Sequence, residues 1–515
     1  MSSNPDSGTG GVGWLLRLLK PLLPAKFRGD IDLLNAPVPA TPTGKVKIER
    51  DEAIERLGQV EHIVVLMLEN RSFDHMLGYL SQEGGRSDIE GLPADPRQVN
   101  TYEGSTYASH HLDRTKLATE AEDPGHSGSD VREQLANENT GFAANFAKHA
   151  AHYVAKEGGP MPDPGLVMGY YDAEDLPVYD FLAEHFMVCD HWFSSVPGAT
   201  WPNRLYAVAG RAEGSHDDLS PPLYDLPSFP RFLDQTGVDW RWYSTDPASL
   251  RMIDPEYRLS HHDRFSYFDK RKLSVKERVV GGFLEEGPSF LDDAAHDNLP
   301  AVSWIDPHFK DAHMLGPNSN DDHPPEDVTA GQDLVLTIYH ALRRSKAWPK
   351  TLFLITYDEH GGFFDHVSPP PSPDDDPKFN RYGVRVPALI VSPFVPPRST
   401  ARDAAGERIL FDHTSIIKTI LLRHCLDEND QIPDMGKRVS QANHLGQVLA
   451  EPRAETADHS HLGARMAKWR SDWATARFGD PAAKARPPQQ LTELQDGFVR
   501  AARRLREAGL PDGHP

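Results

Sequence analysis

Five short apolar runs stand out along the chain, at 62–68, 186–189, 301–305, 351–357 and 387–392, and none alternates strictly between apolar and polar side chains. A run that is apolar on both faces suits a strand covered by helices above and below, as in parallel sheets. Between the runs, apolar residues recur at helical spacing over 176–184, 203–209, 328–344 and 413–422. Strands alternating with helices predict an α/β fold, a three-layer α/β/α sandwich with a mainly parallel central sheet. The polar stretches at 85–165 and 211–300 are too large for simple connections and are expected to be insertions that wall a cleft.

The expected division is an N-terminal tail and linker over 1–58, a principal domain over 59–450 and a helical C-terminal appendage over 451–515. The linker holds the Pro-rich run from Ala36 to Pro42. In the appendage, Leu491, Leu494, Phe498, Ala502 and Leu505 form an apolar stripe closed by Gly509 and Pro511. In the tail, Trp14, Leu15, Leu18, Leu19 and Leu22 recur at helical spacing beside Arg17 and Lys20, a pattern suited to weak contact with a membrane surface. Arg17, Lys20 and Pro21 break the apolar stretch, so it does not read as a secretory signal. The expected location is the cytoplasm or the periphery of a membrane, with export left open. Gly8, Gly10 and Gly13 match a dinucleotide-binding spacing, but no strand precedes them, and the match is set aside.

Composition narrows the function classes. With 54 Lys and Arg against 76 Asp and Glu, the formal charge of -22 disfavours nucleic acid as a partner. No run approaches the roughly 20 apolar residues a membrane span requires. The two cysteines, Cys189 and Cys425, sit in apolar contexts and read as small buried hydrophobes. Nothing in the sequence points to an obligate protein partner.

Two of the strand-like runs lead straight into polar residues. One continues as Glu69-Asn70-Arg71-Ser72-Phe73-Asp74-His75, the other as Asp358-Glu359-His360-Gly361-Gly362. In open α/β sheets ligands bind beyond the carboxyl ends of the strands. Glu69, Asn70, Asp358 and Glu359 are therefore expected to gather there, where carboxylates and an amide carbonyl suit Ca2+, Mg2+ or Mn2+ better than a structural zinc. The plain alternative is that each acidic group caps a following helix. The third segment, Val196-Pro197-Gly198-Ala199-Thr200-Trp201-Pro202-Asn203-Arg204, puts a threonine at a helix start, where free N–H groups favour an anion, with Arg204 close behind. Thr200 reads either as a nucleophile beside the cation or as an ordinary helix cap. His126, His262 and His323 stand in polar surroundings, but spacing alone does not single them out among 25 histidines.

These segments resemble the phosphoesterase family that groups bacterial and plant phospholipases C with acid phosphatases, related in fold to alkaline phosphatase. The likeness continues through Met168-Gly169-Tyr170-Tyr171, Leu176-Pro177, Asp322-His323-Pro324-Pro325, Asp365-His366-Val367 and Gly383-Val384-Arg385-Val386-Pro387, and covers about 60 to 425 in order. The resemblance implies an alkaline-phosphatase-like fold and a divalent metal ion, Ca, Mg, Mn or Zn. It implies Glu69, Asn70, Asp358, Glu359 and Thr200 as metal ligands, Thr200 as nucleophile, and His126, His262 and His323 as catalytic groups lining a phosphate pocket. Arg204, Asn203 and His360 are expected to bind substrate.

The function expected is that of a metal-dependent phosphoric ester hydrolase, phospholipase C-like, acting on a phosphoester or phospholipid through a phospho-threonine intermediate. A broad phosphatase of monoesters is the alternative within the class. A non-catalytic phosphate- or head-group-binding protein is the alternative outside it, and a complete set of nucleophile and ligands speaks against it. A serine esterase is disfavoured because no G-x-S-x-G segment is present.

Overall fold

The computed structural model describes residues 37–510 apart from 83–84, 94–98, 115, 118–122, 220, 270–287, 310–318, 455–456 and 480–492. The apolar runs pair into one eight-stranded sheet. Its strands, in chain order, are β1 (His62–Leu68), β2 (Met187–Val188), β3 (Trp240–Ser244), β4 (Phe265–Tyr267), β5 (Val302–Ile305), β6 (Thr351–Tyr357), β7 (Ala388–Val391) and β8 (Ser399–Thr400). Across the sheet they lie in the order β4-β3-β5-β1-β6-β7-β2-β8. All the pairings are parallel except the two made by β7, which runs against β6 and β2.

The reason for the unbroken apolar runs is plain at the centre. Every residue of β6 is buried, as is β1 from Ile63 onward, so the sheet is covered on both faces. Complete burial of a side chain such as Leu66 or Leu354 contributes about 1.5–3 kcal/mol before conformational entropy is set against it. One helical group comprises α1 (Pro177–His185), α3 (Thr329–Arg344) and α5 (Ser460–Gly479), the other α2 (Thr200–Ala209) and α4 (Thr414–His424). The three-layer α/β/α architecture with a mainly parallel sheet is the one expected, and Cys189 and Cys425 are free and buried.

Two boundaries need correction. The stretch 211–300 is not simply an insertion, because it supplies β3 and β4 to the sheet. Its strand signal was short and rich in Trp, Tyr and Arg rather than aliphatic, since Trp242 and Trp304 stack on each other at 4.7 Å. Residues 45–57 are not a linker either. Lys45–Lys47 pairs antiparallel with Gln431–Pro433, and the helix Glu52–Leu57 buries Ala53, Ile54 and Leu57.

In the C-terminal helix α6 (Glu493–Glu507), Phe498, Ala502 and Leu505 are buried as the stripe predicts. Phe498 packs on Phe309 at 5.0 Å between ring centroids, in the loop after β5. Leu491 and Pro511, and the whole tail through 36 with its amphipathic and glycine patterns, lie outside the described residues. Among the described residues no helix is long and apolar enough to cross a membrane.

Candidate active site

β1 and β6 are neighbours, with Leu68 opposite Tyr357, so Glu69 and Asp358 leave the sheet side by side. The junction is stitched by Asp358 N–H donating to Leu68 O at 3.1 Å and Asn70 N–H donating to Asp358 Oδ1 at 3.0 Å. Asn70 takes the left-handed conformation, φ 58°, which turns the chain sharply after the strand. Gly361 is also left-handed, at φ 63°, and a Cβ there would lie 2.1 Å from Asn70 O. Only glycine lets the two turns approach this closely.

Helix α2 opens at Thr200. Its cap is Ala199, and the Thr200 hydroxyl does not cap the helix, which removes the plain alternative for that residue. Thr200 Oγ1 instead lies 3.2 Å from Glu69 Oε2 and 3.3 Å from Asn70 Oδ1, with all three residues fully buried. The approach is rigid because the Asn203 amide clamps the preceding loop, its Oδ1 accepting from Val196 N–H and its Nδ2 donating to the Val196, Gly198 and Ala199 carbonyls. Arg438 Nη1 holds Ser195 O at 2.6 Å from the other side.

The cluster is short of positive charge. Glu69, Asp358 and Glu359 are buried together with Arg204, whose Nε donates to Glu69 Oε1 at 2.9 Å and lies 3.3 Å from Asp358 Oδ2. Burial raises the Glu69 carboxyl well above the usual carboxylate range; Arg204 opposes this, and Asp358 and Asp321 add to it. Asp358 Oδ2 and Glu359 Oε1 are buried with no hydrogen-bond partner, an arrangement that costs about 1–3 kcal/mol per group or more when charged. The Thr200 hydroxyl has one hydrogen to share between two acceptors. The excess of carboxylate over guanidinium, the orphaned oxygens and the all-oxygen donors of Glu69, Asn70, Thr200 and Asp358 fit the chemistry of a hard divalent cation. Among the described residues, the groupings of three carboxylates or histidines already within 4.8 Å of one another are Asp123–His126–His323, Asp74–Asp365–His366 and His111–Asp172–Asp175, so Glu359 would have to close on the ion.

Three residues expected to bind substrate have other work. The Asn203 amide is saturated by the loop it clamps. Arg204 is 3 % exposed and is spent on Glu69, the Met67 and Leu68 carbonyls and the face of Phe309, so it holds the carboxylates rather than an incoming anion. His360 places Nδ1 3.2 Å from Glu359 Oε2 and Nε2 2.8 Å from Gln134 Oε1, which orients Glu359. His262 is also displaced. It precedes β4 and so stands at the amino-terminal edge of the sheet, 3.4 Å from Arg251 Nη2, whereas Glu69 and Asp358 stand at the carboxyl edge. Phe265 is level with Val65 through Trp242 and Trp304, so the start of β4 lies four strand residues, roughly 13 Å at 3.3 Å per residue, short of Glu69 along the strands. His308, after β5, stands instead at the carboxyl edge, half-buried beside Asp246 and electrostatically felt by Asp321.

His126 and His323 do reach the cluster. His323 Nε2 lies 3.1 Å from Asn70 Nδ2, and the ring donor atoms of both histidines fall within 4.8 Å of each other and of Asp123. Burial disfavours a charged His126, but Glu359, Asp123 and Asp218 outweigh it and raise the ring to about 10, leaving a cationic donor at the open side of the site. Other family-like residues sit behind the site. Arg385 bridges Asp74 at 3.0 Å and Asp365 at 2.9 Å, and His366 meets Asp74 at 2.6 Å, a buried network that is internally satisfied.

Sequence reasoning missed Asp218, whose Oδ1 accepts the Trp201 N–H at 2.8 Å, and His413, whose Nε2–H donates to Asp358 O at 2.6 Å. Neither lies in a recognisable spacing. Burial lifts the Asp218 carboxyl to about 7, with the Trp201 N–H and His126 opposing, and Asp358 and Glu359 reinforcing.

Comparison with known proteins places this geometry in context. A family model described as "Phosphoesterase family" matches residues 60–427. "Non-specific phospholipase C5" of Arabidopsis thaliana is 33% identical over 394 residues, 70% of this chain and 69% of that protein. "Phospholipase C B" of Mycobacterium tuberculosis is 29% identical over 408 residues, 71% of this chain and 74% of that protein. Among solved structures, a protein of the alkaline phosphatase superfamily from Vibrio parahaemolyticus aligns with 61% of this chain and 83% of its own at 12% identity and a TM-score of 0.34, a likeness too distant to bear on chemistry.

Proposed function

The chain belongs to the phosphoesterase family and is a phosphoric ester hydrolase, and from that premise we propose that it is a metal-dependent phosphodiesterase of phospholipase C type in which Thr200 is the nucleophile. The observation that carries the reading is the buried Thr200 hydroxyl 3.2 Å from Glu69 Oε2, beside strand ends where Asp358 Oδ2 and Glu359 Oε1 are buried without a hydrogen bond. Glu69, Asn70, Asp358, Glu359 and Thr200 would hold the cation. When bound, it would draw charge from the hydroxyl and from a phosphoryl oxygen.

The chain's own groups account for the remainder. Of the two acceptors facing Thr200 Oγ1, only Glu69 can take a proton, so the hydroxyl proton passes to Glu69 Oε2 as Oγ1 bonds to phosphorus. The bond from phosphorus to the departing alcohol oxygen breaks in line, and His126 delivers a proton to that oxygen. His323 Nδ1–H donates to Pro324 O and its Nε2 accepts from Asn70 Nδ2–H, so the ring aims the Asn70 amide with Oδ1 toward Thr200. Water then attacks phosphorus and gives its proton to His126, the bond from phosphorus to Thr200 Oγ1 breaks, and Glu69 returns its proton to Oγ1 as the phosphomonoester leaves. Arg204 keeps Glu69 aimed throughout, and Gln134 through His360 does the same for Glu359.

Diester preference is favoured by the similarity to proteins named phospholipases C, and by threonine at the nucleophile position. Phosphatidylcholine vesicles, bis(p-nitrophenyl) phosphate and p-nitrophenyl phosphate, compared at equal enzyme, test it. Higher kcat/KM on the two diesters is expected, by about tenfold or more over the monoester, a difference of roughly 1.4 kcal/mol in transition-state stabilisation. Turnover confined to the monoester would assign the chain to the phosphatases.

A further inference from the structure

We propose that Asp218 sets the charge of the phosphoester the site accepts, disfavouring dianionic monoesters relative to monoanionic diesters. The inference rests on the reading of Thr200 as nucleophile given above.

A helix start offers its free N–H groups to an anion, and α2 begins with the very residue that attacks. The N–H next in line, that of Trp201, is not free, because Asp218 Oδ1 accepts it at 2.8 Å. The protein thus keeps a carboxylate of its own on the donor that would otherwise greet a phosphoryl oxygen. Asp218 reaches it from a separate loop rather than from the residue just before the helix, where a cap normally sits, and Ala199 leaves that position without a side-chain acceptor.

The surroundings of Asp218 show which space it faces. The charges that bear on it are those of His126, Asp358 and Glu359, and it bears in turn on His126. Asp358 in turn holds Asn70 and shares Arg204 with Glu69, the two residues that face the Thr200 hydroxyl being Glu69 and Asn70. Asp218 is half-buried, while Asp358 and Glu359 are fully buried, so it lies on the more open side of those groups. Among the described residues no lysine or arginine pairs with it, in contrast to Glu69, whose charge Arg204 answers.

A phosphoryl group entering from that side meets a carboxyl with no cationic partner of its own save the His126 ring. A diester presents one negative charge, and its second substituent is a neutral ester oxygen. A monoester at neutral pH presents nearly two charges, and the second must either be held against the carboxylate or be accommodated by protonating it. Either route weakens binding and attack for the monoester alone. The carboxyl also contributes by holding the start of α2 in place, and that positioning role is shared by any neutral acceptor of the same shape.

The test separates charge from shape. In Asp218→Asn the amide oxygen still accepts the Trp201 N–H, but the charge is gone. The ratio of kcat/KM for p-nitrophenyl phosphate to that for bis(p-nitrophenyl) phosphate, measured with metal-loaded full-length enzyme at pH 8, is expected to rise fivefold or more, chiefly through a lower KM for the monoester. Asp218→Ser keeps an acceptor without charge and gives the same readout if the amide is not tolerated. A ratio that changes less than fivefold in the folded variant, or that moves toward the diester, overturns the inference and leaves Asp218 as a helix cap. Thr200→Ala assayed in parallel keeps the two claims apart. If it is inactive on both substrates while Asp218→Asn leaves the ratio unmoved, only the inference on Asp218 fails; if it remains active, the nucleophile assignment fails first.

Discussion

Thr200→Ala is expected to lower kcat/KM on an aryl phosphodiester by about 10,000-fold or more while the folded protein still binds its cation. The effect is large because, among the described residues, no other hydroxyl hydrogen-bonds to Glu69 or Asn70. Ser195, the nearest in sequence, donates to Asp412 Oδ2 at 2.8 Å and is thereby turned to the loop's own support. The structural cost is small by comparison. The variant removes one hydroxyl from Glu69 Oε2 and Asn70 Oδ1, a loss of about 1–3 kcal/mol if nothing replaces it, and bound metal would replace it. Thr200→Ser retains the hydroxyl and is expected to keep activity within about tenfold, which distinguishes lost chemistry from lost packing. Metal content by elemental analysis, with kcat and KM for all three proteins, checks the prediction.

Asp358→Asn is expected to release the cation and to reduce turnover by roughly 1,000-fold, about 4 kcal/mol of stabilisation at 1.4 kcal/mol per decade. Asp358 is the hinge of the cluster. Its Oδ1 receives the Asn70 N–H at 3.0 Å and the Glu359 N–H at 2.7 Å, its carbonyl is held by His413, and its Oδ2 is one of the buried oxygens without a hydrogen-bond partner. An amide in its place still accepts at Oδ1 but presents either a neutral oxygen or an N–H toward the cation. Chelation of wild-type enzyme should give a similar loss, restored by returning one of Ca2+, Mg2+, Mn2+ or Zn2+, and the ion that restores it identifies the cofactor. Full activity after exhaustive chelation, or undiminished metal in the Asp358→Asn protein, would contradict the assignment of these oxygens.

Much of the architecture was legible in the sequence because parallel strands buried on both faces leave an unmistakable trace. The bounds of β1 and β6 follow the apolar runs to the residue, and the polar groups that end them meet in space because those strands are neighbours in register. What the sequence concealed depends on contacts between distant segments. Trp240 to Ser244 did not read as a strand, since its buried aromatics look like neither aliphatic run nor alternation. His262 and His308 are equally polar in context, and only the direction of β4 and β5 tells which of them stands at the carboxyl edge. Arg204 looked like an anion's partner by its place two residues after Pro202 at the helix start, but the nearest anion proved to be Glu69. Asp218 and Gln134 act across 17 and 226 residues of separation, for which no local pattern exists.

The account turns on whether the phosphoryl group passes through Thr200. Acid quenching of the metal-loaded enzyme during turnover of bis(p-nitrophenyl) phosphate, whose good leaving group makes the second step limiting, followed by mass spectrometry of the proteolytic peptides, asks this directly. The account predicts an aryl-phosphorylated peptide in which the modified residue is Thr200, formed in an initial burst. Steady turnover without a burst, and with Thr200 unmodified or the phosphoryl group on another residue, would contradict it.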